Sequence, residues 1–384
     1  MIDFSFTEEQ ELLRRTVEKF AREELAPKYA QGDRNWLFPA EQVEKMAALG
    51  LFGLNIPNEY GGRQTDFVTI GLVVEELARG DFNCVLPFMM TLYSGHALGG
   101  YGSENLKREW LPRIAQGKTL LAVGATEPSA GSDLAHLKTK AVRDGDDYVL
   151  NGEKNSVSMS NADLFVVMAR TDPQASPARG ISLFLFSREL PGVSISEFRD
   201  LGCRSIPRGQ LFMEEVRIPK TSLIGPEGIG FKVFMGFLDF NRPLIGLKCL
   251  AVAQESLKET MEHVTTKEAF GKPLARFEGI SFAIAEAATK IEAARWLCYR
   301  TLWLRDRGLP HTKESSMCKW WVPKVCDEII HRCLLLHGHY GYTDELPLEQ
   351  RLREVIGWQI GDGSAEIQKI IIARELMGRE ALPY

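Results

Sequence analysis

Apolar residues recur every three to four positions in the first part of the chain, gather into short β-rich runs in the middle, and return to the helical period near residue 229. Residues 1–118 read as helices. Thr7-Glu-Glu-Gln10 offers an N-cap with Gln at the third helical position, opening a helix that carries Leu12, Leu13, Val17 and Phe20 on one side. Gly61-Gly62 breaks the pattern, and Val68 to Arg79 resumes it with Ile70, Val73, Val74 and Leu77.

Residues 119–228 change character. Leu120–Val123, Tyr148–Leu150, Leu164–Met168, Ile181–Phe186, Val193–Ile195 and Leu211–Met213 are separated by turn signals such as Asp144-Gly-Asp146 and Pro191-Gly192. They predict a small antiparallel β-barrel or sandwich. These strands do not alternate with helices, which disfavours a Rossmann sheet. In residues 229–384, Ile280, Ile284, Ala287, Ile291, Ala294, Cys298 and Thr301 form a stripe suited to a helix in a bundle. The order helical, β, helical defines an α+β chain of three units.

Composition narrows the classes. The 384 residues are 45% hydrophobic and 25% charged, ordinary for a globular chain, and the net charge of −5 leaves no basic footprint for nucleic acid. No apolar run approaches the ~20 residues of a membrane helix, so no membrane association is expected. The start, Met1-Ile-Asp-Phe-Ser-Phe, lacks a basic n-region or an Arg-rich amphipathic segment and reads as a cytoplasmic N-terminus. Seven scattered cysteines form no CxxC pair, so reduced core thiols are expected. His337-x-His339 stands without further ligands nearby, and no metal is expected. Gly225-Pro-Glu-Gly-Ile-Gly230 has no βαβ context and reads as a linker.

The segment Ile360-Gly-Asp-Gly-Ser-Ala-Glu-Ile-Gln368 carries the main chemical signal: an acid between two glycines, just ahead of a helix. Glycines allow close approach to the main chain, and a helix start presents unpaired N–H groups. Such a segment can hold a carboxylate against a ligand with backbone donors beside it.

Three motifs then identify a family. Ala125-Thr-Glu-Pro-Ser-Ala-Gly-Ser-Asp133 resembles the T-E-P-x-A-G-S-D signature of the acyl-CoA dehydrogenases. Leu238-Asp-Phe-Asn-Arg-Pro243 with Phe270-Gly-Lys-Pro273 is the second. His337-Gly-His-Tyr-Gly-Tyr-Thr343 followed by the Asp362 segment is the third. Their order and spacing extend the resemblance over nearly the whole chain.

The resemblance implies an N-terminal helical domain, a middle β domain and a C-terminal four-helix bundle. It implies a homotetramer binding FAD, α,β-dehydrogenation of an acyl-CoA thioester, and electrons passing to an electron-transferring flavoprotein. A proton α to a thioester needs a positioned carboxylate base and donors for the developing enolate oxygen. That base would be Asp362. The β-hydrogen would leave as hydride to flavin N5.

By the same resemblance Val123, Gly124, Ala125, Thr126, Gly131 and Ser132 line the flavin, and Ser132 also follows the pantetheine arm. Ser156, Val157 and Ser158 back the isoalloxazine. Thr91 faces the acyl cavity, Asp239, Asn241 and Arg242 meet or shape the CoA site, and Gly363 approaches the substrate. Lys267, Ala269, Phe270, Glu278, Leu335, Gly338 and His339 touch the pyrophosphate and adenosine, some across subunits. Ser364 and Glu366 return to the flavin.

The chain departs from the family pattern at informative places. Asp362 stands where the family usually has Glu, shortening the reach by roughly 1.5 Å. Some relatives draw their base from the residue before the conserved Arg, but that position is Asn241. Gly361 replaces a Tyr, freeing volume. Ser156 replaces a bulky aromatic over one flavin face. Lys267 replaces Arg, Glu278 and Leu335 replace Gln, and His339 replaces Gly, which weakens the expected pyrophosphate contacts. A shorter base and a Gly beside it suit an acyl group bulky at Cα, such as cyclohexane-1-carboxyl-CoA. Short- or branched-chain acyl-CoAs follow. An acyl-CoA oxidase, an enoyl-CoA reductase and a flavin-poor assembly protein on the same scaffold are the alternatives.

Overall fold

The structure is a computed structural model that describes residues 5–378 and 380. Its first helix, α1 (Glu8–Phe20), opens as the sequence predicts. Thr7 Oγ1 accepts from the Gln10 N–H at 3.2 Å, and Gln10 Oε1 accepts from the Thr7 N–H at 3.0 Å. One π-helical turn carries it into α2 (Ala26–Asn35), after which come α3 (Ala40–Ala48), α4 (Phe67–Gly80), α5 (Val85–Ser94) and α6 (Glu104–Ala115). The α4 helix is apolar nearly all round, which explains why it is buried against its neighbours.

The helix α3 already ends at Ala48, and Gly61-Gly62 lies in the following turns, where Gly62 is glycine for a steric reason. A Cβ at Gly62 would lie 1.8 Å from the Ile56 carbonyl oxygen, closer than any side chain tolerates. Gly62→Ala is expected to force this turn apart and cost on the order of 1–3 kcal/mol. A urea-denaturation midpoint unchanged from the parent protein would contradict this.

The middle strands are β1 (Leu121–Gly124), β2 (Lys140–Asp144), β3 (Asp147–Ser158), β4 (Leu164–Arg170), β5 (Ile181–Ser187), β6 (Val193–Glu197) and β7 (Arg208–Pro219). They form a seven-stranded sheet in the order β1-β4-β2-β3-β7-β6, with β5 joined to β4. Most pairings are antiparallel, but β1 runs parallel to β4 over Leu121–Gly124, and β2 touches β4 in parallel at one position. The sheet is therefore mixed rather than purely antiparallel. The core strands β4 and β5 are buried over six of their seven residues each, as expected of strands covered on both faces.

The C-terminal part holds α7 (Gly230–Thr266), a two-stranded ribbon of β8 (Glu268–Ala269) and β9 (Lys272–Pro273), α8 (Glu278–Asp306), α9 (Thr312–Leu336), α10 (Leu348–Gly357) and α11 (Ala365–Met377). The predicted stripe on α8 is the core face from Ala287 to Thr301, whereas Ile280 and Ile284 at its start are half-exposed. All seven cysteines are buried free thiols.

The helical parts interlock. The Asp306 carboxylate at the end of α8 accepts from the backbone N–H groups of Phe67 and Val68 at 2.7 and 3.0 Å, capping α4 from 239 and 238 residues away. Buried Glu75 on α4 meets Arg295 at 2.8 Å and the Tyr299 hydroxyl at 2.6 Å, both on α8. Between α10 and the N-terminal helices, the Glu354 carboxylate accepts from Tyr29, Asn83 and Gln350, and burial pushes its pKa up to about 7.

Candidate active site

The signature turn at 125–133 is built by backbone pairing with β3. Asn155 N–H donates to the Thr126 carbonyl at 2.7 Å, and Glu127 and Ala130 pair with each other across the turn. Beneath it lies a buried ion pair: Lys154 Nζ to Glu127 Oε1, 2.7 Å, with neither side chain meaningfully exposed. The ammonium also donates to the Ala125 carbonyl at 3.3 Å, and Glu127 accepts from the backbone N–H groups of Lys138 and Thr139. Burial pulls the Lys154 pKa down to about 8 despite Glu127. Val123 and Thr126 are half-buried, Gly124 and Ala125 are buried, and Gly131 and Ser132 are exposed in the following loop.

A bulge in β3 between Lys154 and Val157 places Ser156 at φ +57°, exposed, with Val157 buried and Ser158 half-buried. Ser158 sits opposite Arg208 of β7. The positive charge of Arg208 is one of the groups that lower the Asp362 carboxyl pKa against the effect of burial.

Asp362 follows α10 in a turn at φ +56°, and Gly363 after it has φ +98°. At Asp362, a non-glycine, the left-handed backbone is a local strain that the flanking structure must hold. A Cβ at Gly363 would lie 2.4 Å from Gln368 Nε2, the end of a side chain that can shift, so the positive φ is what favours glycine there. Asn241 Nδ2 on α7 donates to Asp362 Oδ2 at 2.9 Å. Burial raises the Asp362 carboxyl above the usual aspartate range, opposed by Lys319, Arg242, the Asn241 bond and Arg208. Next to Asn241, buried Arg242 pairs with Asp239 at 3.4 Å, and Asp239 also accepts from the Thr312 hydroxyl at 2.9 Å.

Three buried polar atoms here have no partner among the described residues: Asn241 Oδ1, Arg242 Nε and Gln368 Oε1. Buried groups left unpaired in this way point to a ligand that completes them. Together with the left-handed turn at 362–363, they fit a polar cofactor and a thioester substrate. Thr91 is buried, and its hydroxyl donates to the Phe88 carbonyl at 2.7 Å within its own helix. Ser364 is half-buried at the start of α11, and Glu366 is exposed there.

The remaining predicted residues lie elsewhere. Leu335 is 16 positions beyond Lys319 on α9, about 24 Å along a helix, and Lys267 is 25 positions beyond Arg242, about 37 Å, counting α7 and its C-cap as helical rise. Lys267, Phe270, Glu278, Leu335, Gly338 and His339 are exposed, with Phe270 96% accessible, and Ala269 is half-buried. Stacked His263 and His337 rings, 4.4 Å apart, bring the ends of α7 and α9 together there. One subunit therefore does not join this group to Asp362. Sequence reading missed Lys319, Lys154 and Gln368. Their signal was weak: polar letters inside otherwise apolar periods.

Comparison with known proteins accounts for the arrangement. Residues 7–118 match the acyl-CoA dehydrogenase N-terminal domain, 122–216 its middle domain and 228–377 its C-terminal domain. The chain is 36% identical to an acryloyl-CoA reductase (NADH) of Anaerotignum propionicum, covering 98% of this chain and 97% of that one. It is 34% identical to a short-chain specific acyl-CoA dehydrogenase of Clostridium acetobutylicum, covering 98% and 100%. The solved butyryl-CoA dehydrogenase of Megasphaera elsdenii superposes with a TM-score of 0.94 at 29% identity, covering 98% and 100%. Three domain matches in order, full-length relatives and the shared fold make the chain a member of the acyl-CoA dehydrogenase family.

Proposed function

We propose that Asp362 is the general base that removes the α-proton of a bound acyl-CoA. The observation that carries this reading is a carboxylate anchored by Asn241 at 2.9 Å and flanked by Arg242, Lys319 and Arg208 in a turn with two left-handed residues. The enzyme is an FAD-dependent acyl-CoA dehydrogenase. The segments 123–126, 131–132, 156–158, 364 and 366 would hold the flavin. When bound, FAD supplies the two-electron acceptor for the β-hydrogen. The protein's own work is to orient the thioester, keep the base beside its α-carbon and hold the accepted proton on Asp362.

The exposed end with Phe270 and Leu335 supports adenosine contacts shared across a homotetramer. Boundaries at 118/119 and 228/229, a cytoplasmic location and an electron-transferring flavoprotein as acceptor complete the reading.

For the substrate, a Cβ at Gly361 would meet only the Gly357 carbonyl oxygen, at 3.7 Å. That room beside a short base supports an acyl group bulky at Cα, with cyclohexane-1-carboxyl-CoA first. Similarity to the short-chain enzyme of C. acetobutylicum supports a second reading, a straight short chain. Anaerobic flavin bleaching with an acyl-CoA panel separates them. The first reading expects the cyclic thioester to bleach faster than butyryl-CoA, and much faster bleaching by butyryl-CoA overturns it. Similarity to the NADH-dependent acryloyl-CoA reductase makes NADH-driven enoyl-CoA reduction a further arm of the same assay. Peroxide formation in air would identify an oxidase, and colourless protein under saturating FAD would sink the enzymatic reading.

A further inference from the structure

Lys319 lies near the start of α9 and is fully buried. A buried ammonium needs compensating partners to offset its lost hydration. This one finds them in two carbonyls on either side of Asp362: Nζ donates to Trp358 O at 2.6 Å and to Gly363 O at 3.2 Å. Gln368 Nε2 adds a third hydrogen bond, to the same Gly363 oxygen at 3.3 Å. Within the intervening chain, short backbone turn bonds run from Gln359, Ile360 and Gly361 back to Ile356 and Gly357, and Asn241 Nδ2 holds the Asp362 carboxylate. Lys319 thus ties together both ends of the segment in which Asp362 and Gly363 take left-handed backbone.

We propose that Lys319 is a positioning residue for the reaction: it fastens both ends of the Asp362 turn and sets its positive charge behind the carboxylate. The inference rests on the reading of Asp362 as the base. The carboxylate faces Lys319 from α9, Arg242 and Asn241 from α7, and Arg208 from β7. Lys319 in turn faces Asp362, Cys249 and Arg242, and burial draws its pKa down to about 8. It therefore stays charged at acidic and neutral pH, where an aspartate titrates. A positive neighbour favours the ionised carboxylate, so removing it raises the Asp362 pKa. The base works only when ionised, so the acid limb of kcat must move to higher pH.

The test compares Lys319→Met, which removes donor and charge, with Lys319→Gln, which removes only the charge, and Lys319→Arg, which keeps both. Holoenzymes are assayed for kcat and KM against pH. In parallel, 13C-aspartate-labelled protein is titrated by NMR, with the Asp362 resonance identified by its absence in Asp362→Asn. Lys319→Met should lower kcat about 10- to 100-fold with KM nearly unchanged. The acid limb and the carboxyl titration should both move up by about one pH unit in the Met and Gln variants. Lys319→Arg should restore the limb.

A folded Met variant with parental kcat and an unmoved titration overturns the proposal. If the Met variant does not fold, an unmoved titration in Lys319→Gln overturns it equally. Failure of the base reading is separate: it would show as full activity in Asp362→Asn, whatever the Lys319 variants do to the carboxyl titration.

Discussion

Replacing Asp362 by Asn should abolish acyl-CoA-driven flavin bleaching while leaving the protein folded and yellow. General-base catalysis contributes typically ~10²–10⁴-fold, and the rate should fall by that order. The Asn side chain matches Asp in shape, and its oxygen can still accept from Asn241 Nδ2, which now sits 2.9 Å from Asp362 Oδ2. The loss therefore reports chemistry rather than collapse of the turn. Asp362→Glu restores an ionisable group but pushes it roughly 1.5 Å further. A misplacement of about 1 Å can cost on the order of a hundredfold, so the Glu variant should fall between parent and Asn. Burial raises the Asp362 carboxyl above the ordinary aspartate range. Activity of the parent enzyme should accordingly fall as pH drops through a limb above that range, and the limb should be missing from any residual activity of the Asn variant. Undiminished bleaching in Asp362→Asn would remove this residue from the mechanism.

Glu127→Ala should be the most damaging substitution to stability near the site. It strips the partner from Lys154, a fully buried ammonium paired at 2.7 Å, and leaves the Lys138 and Thr139 N–H groups without their acceptor. Breaking a buried pair from one side costs about 3–5 kcal/mol, measurable as a lower urea midpoint at neutral pH. The pH dependence has a definite sign. The Lys154 pKa is about 8 when folded against 10.5 for an ordinary lysine, so the unfolded chain binds the extra proton between these values. Lys154 thus makes stability rise with pH over about 8 to 10.5, and losing Glu127 should widen that window downward. The double variant Glu127→Gln with Lys154→Met keeps an acceptor and removes both charges, and should recover most of the loss. Equal stability of Glu127→Ala and the parent at pH 7 would contradict this account.

Both residues show what the chain made legible. The turn around Asp362 was readable because its neighbours are glycines and a helix follows, and 362 and 363 both have positive φ. The three-part order was readable because the apolar period changes near 119 and again near 229. Strand β2 was not, since Lys140 to Asp144 bury only Ala141 and offer no alternating signal. The parallel β1–β4 pairing was equally hidden, because pairing partners distant in sequence leave no local pattern. Lys319 and Lys154 escaped notice for a physical reason. A lone lysine in an apolar period reads as a side chain reaching for water, and only the folded chain shows carbonyls and a carboxylate waiting inside.

The cap that Asp306 places on α4 has a consequence for how this protein is made. Beside the local cap from Asp66, the first turn of α4 receives a second carboxylate from a residue synthesised 239 positions after Phe67. Until α8 has left the ribosome, the N-terminal helices lack this cap, worth about 1 kcal/mol, and the apolar flank of α4 lacks its cover. Folding unit by unit during translation is the usual order for long chains. Here the earliest unit is finished late, so a nascent chain stalled before residue 306 should be far more open to protease than one stalled after it.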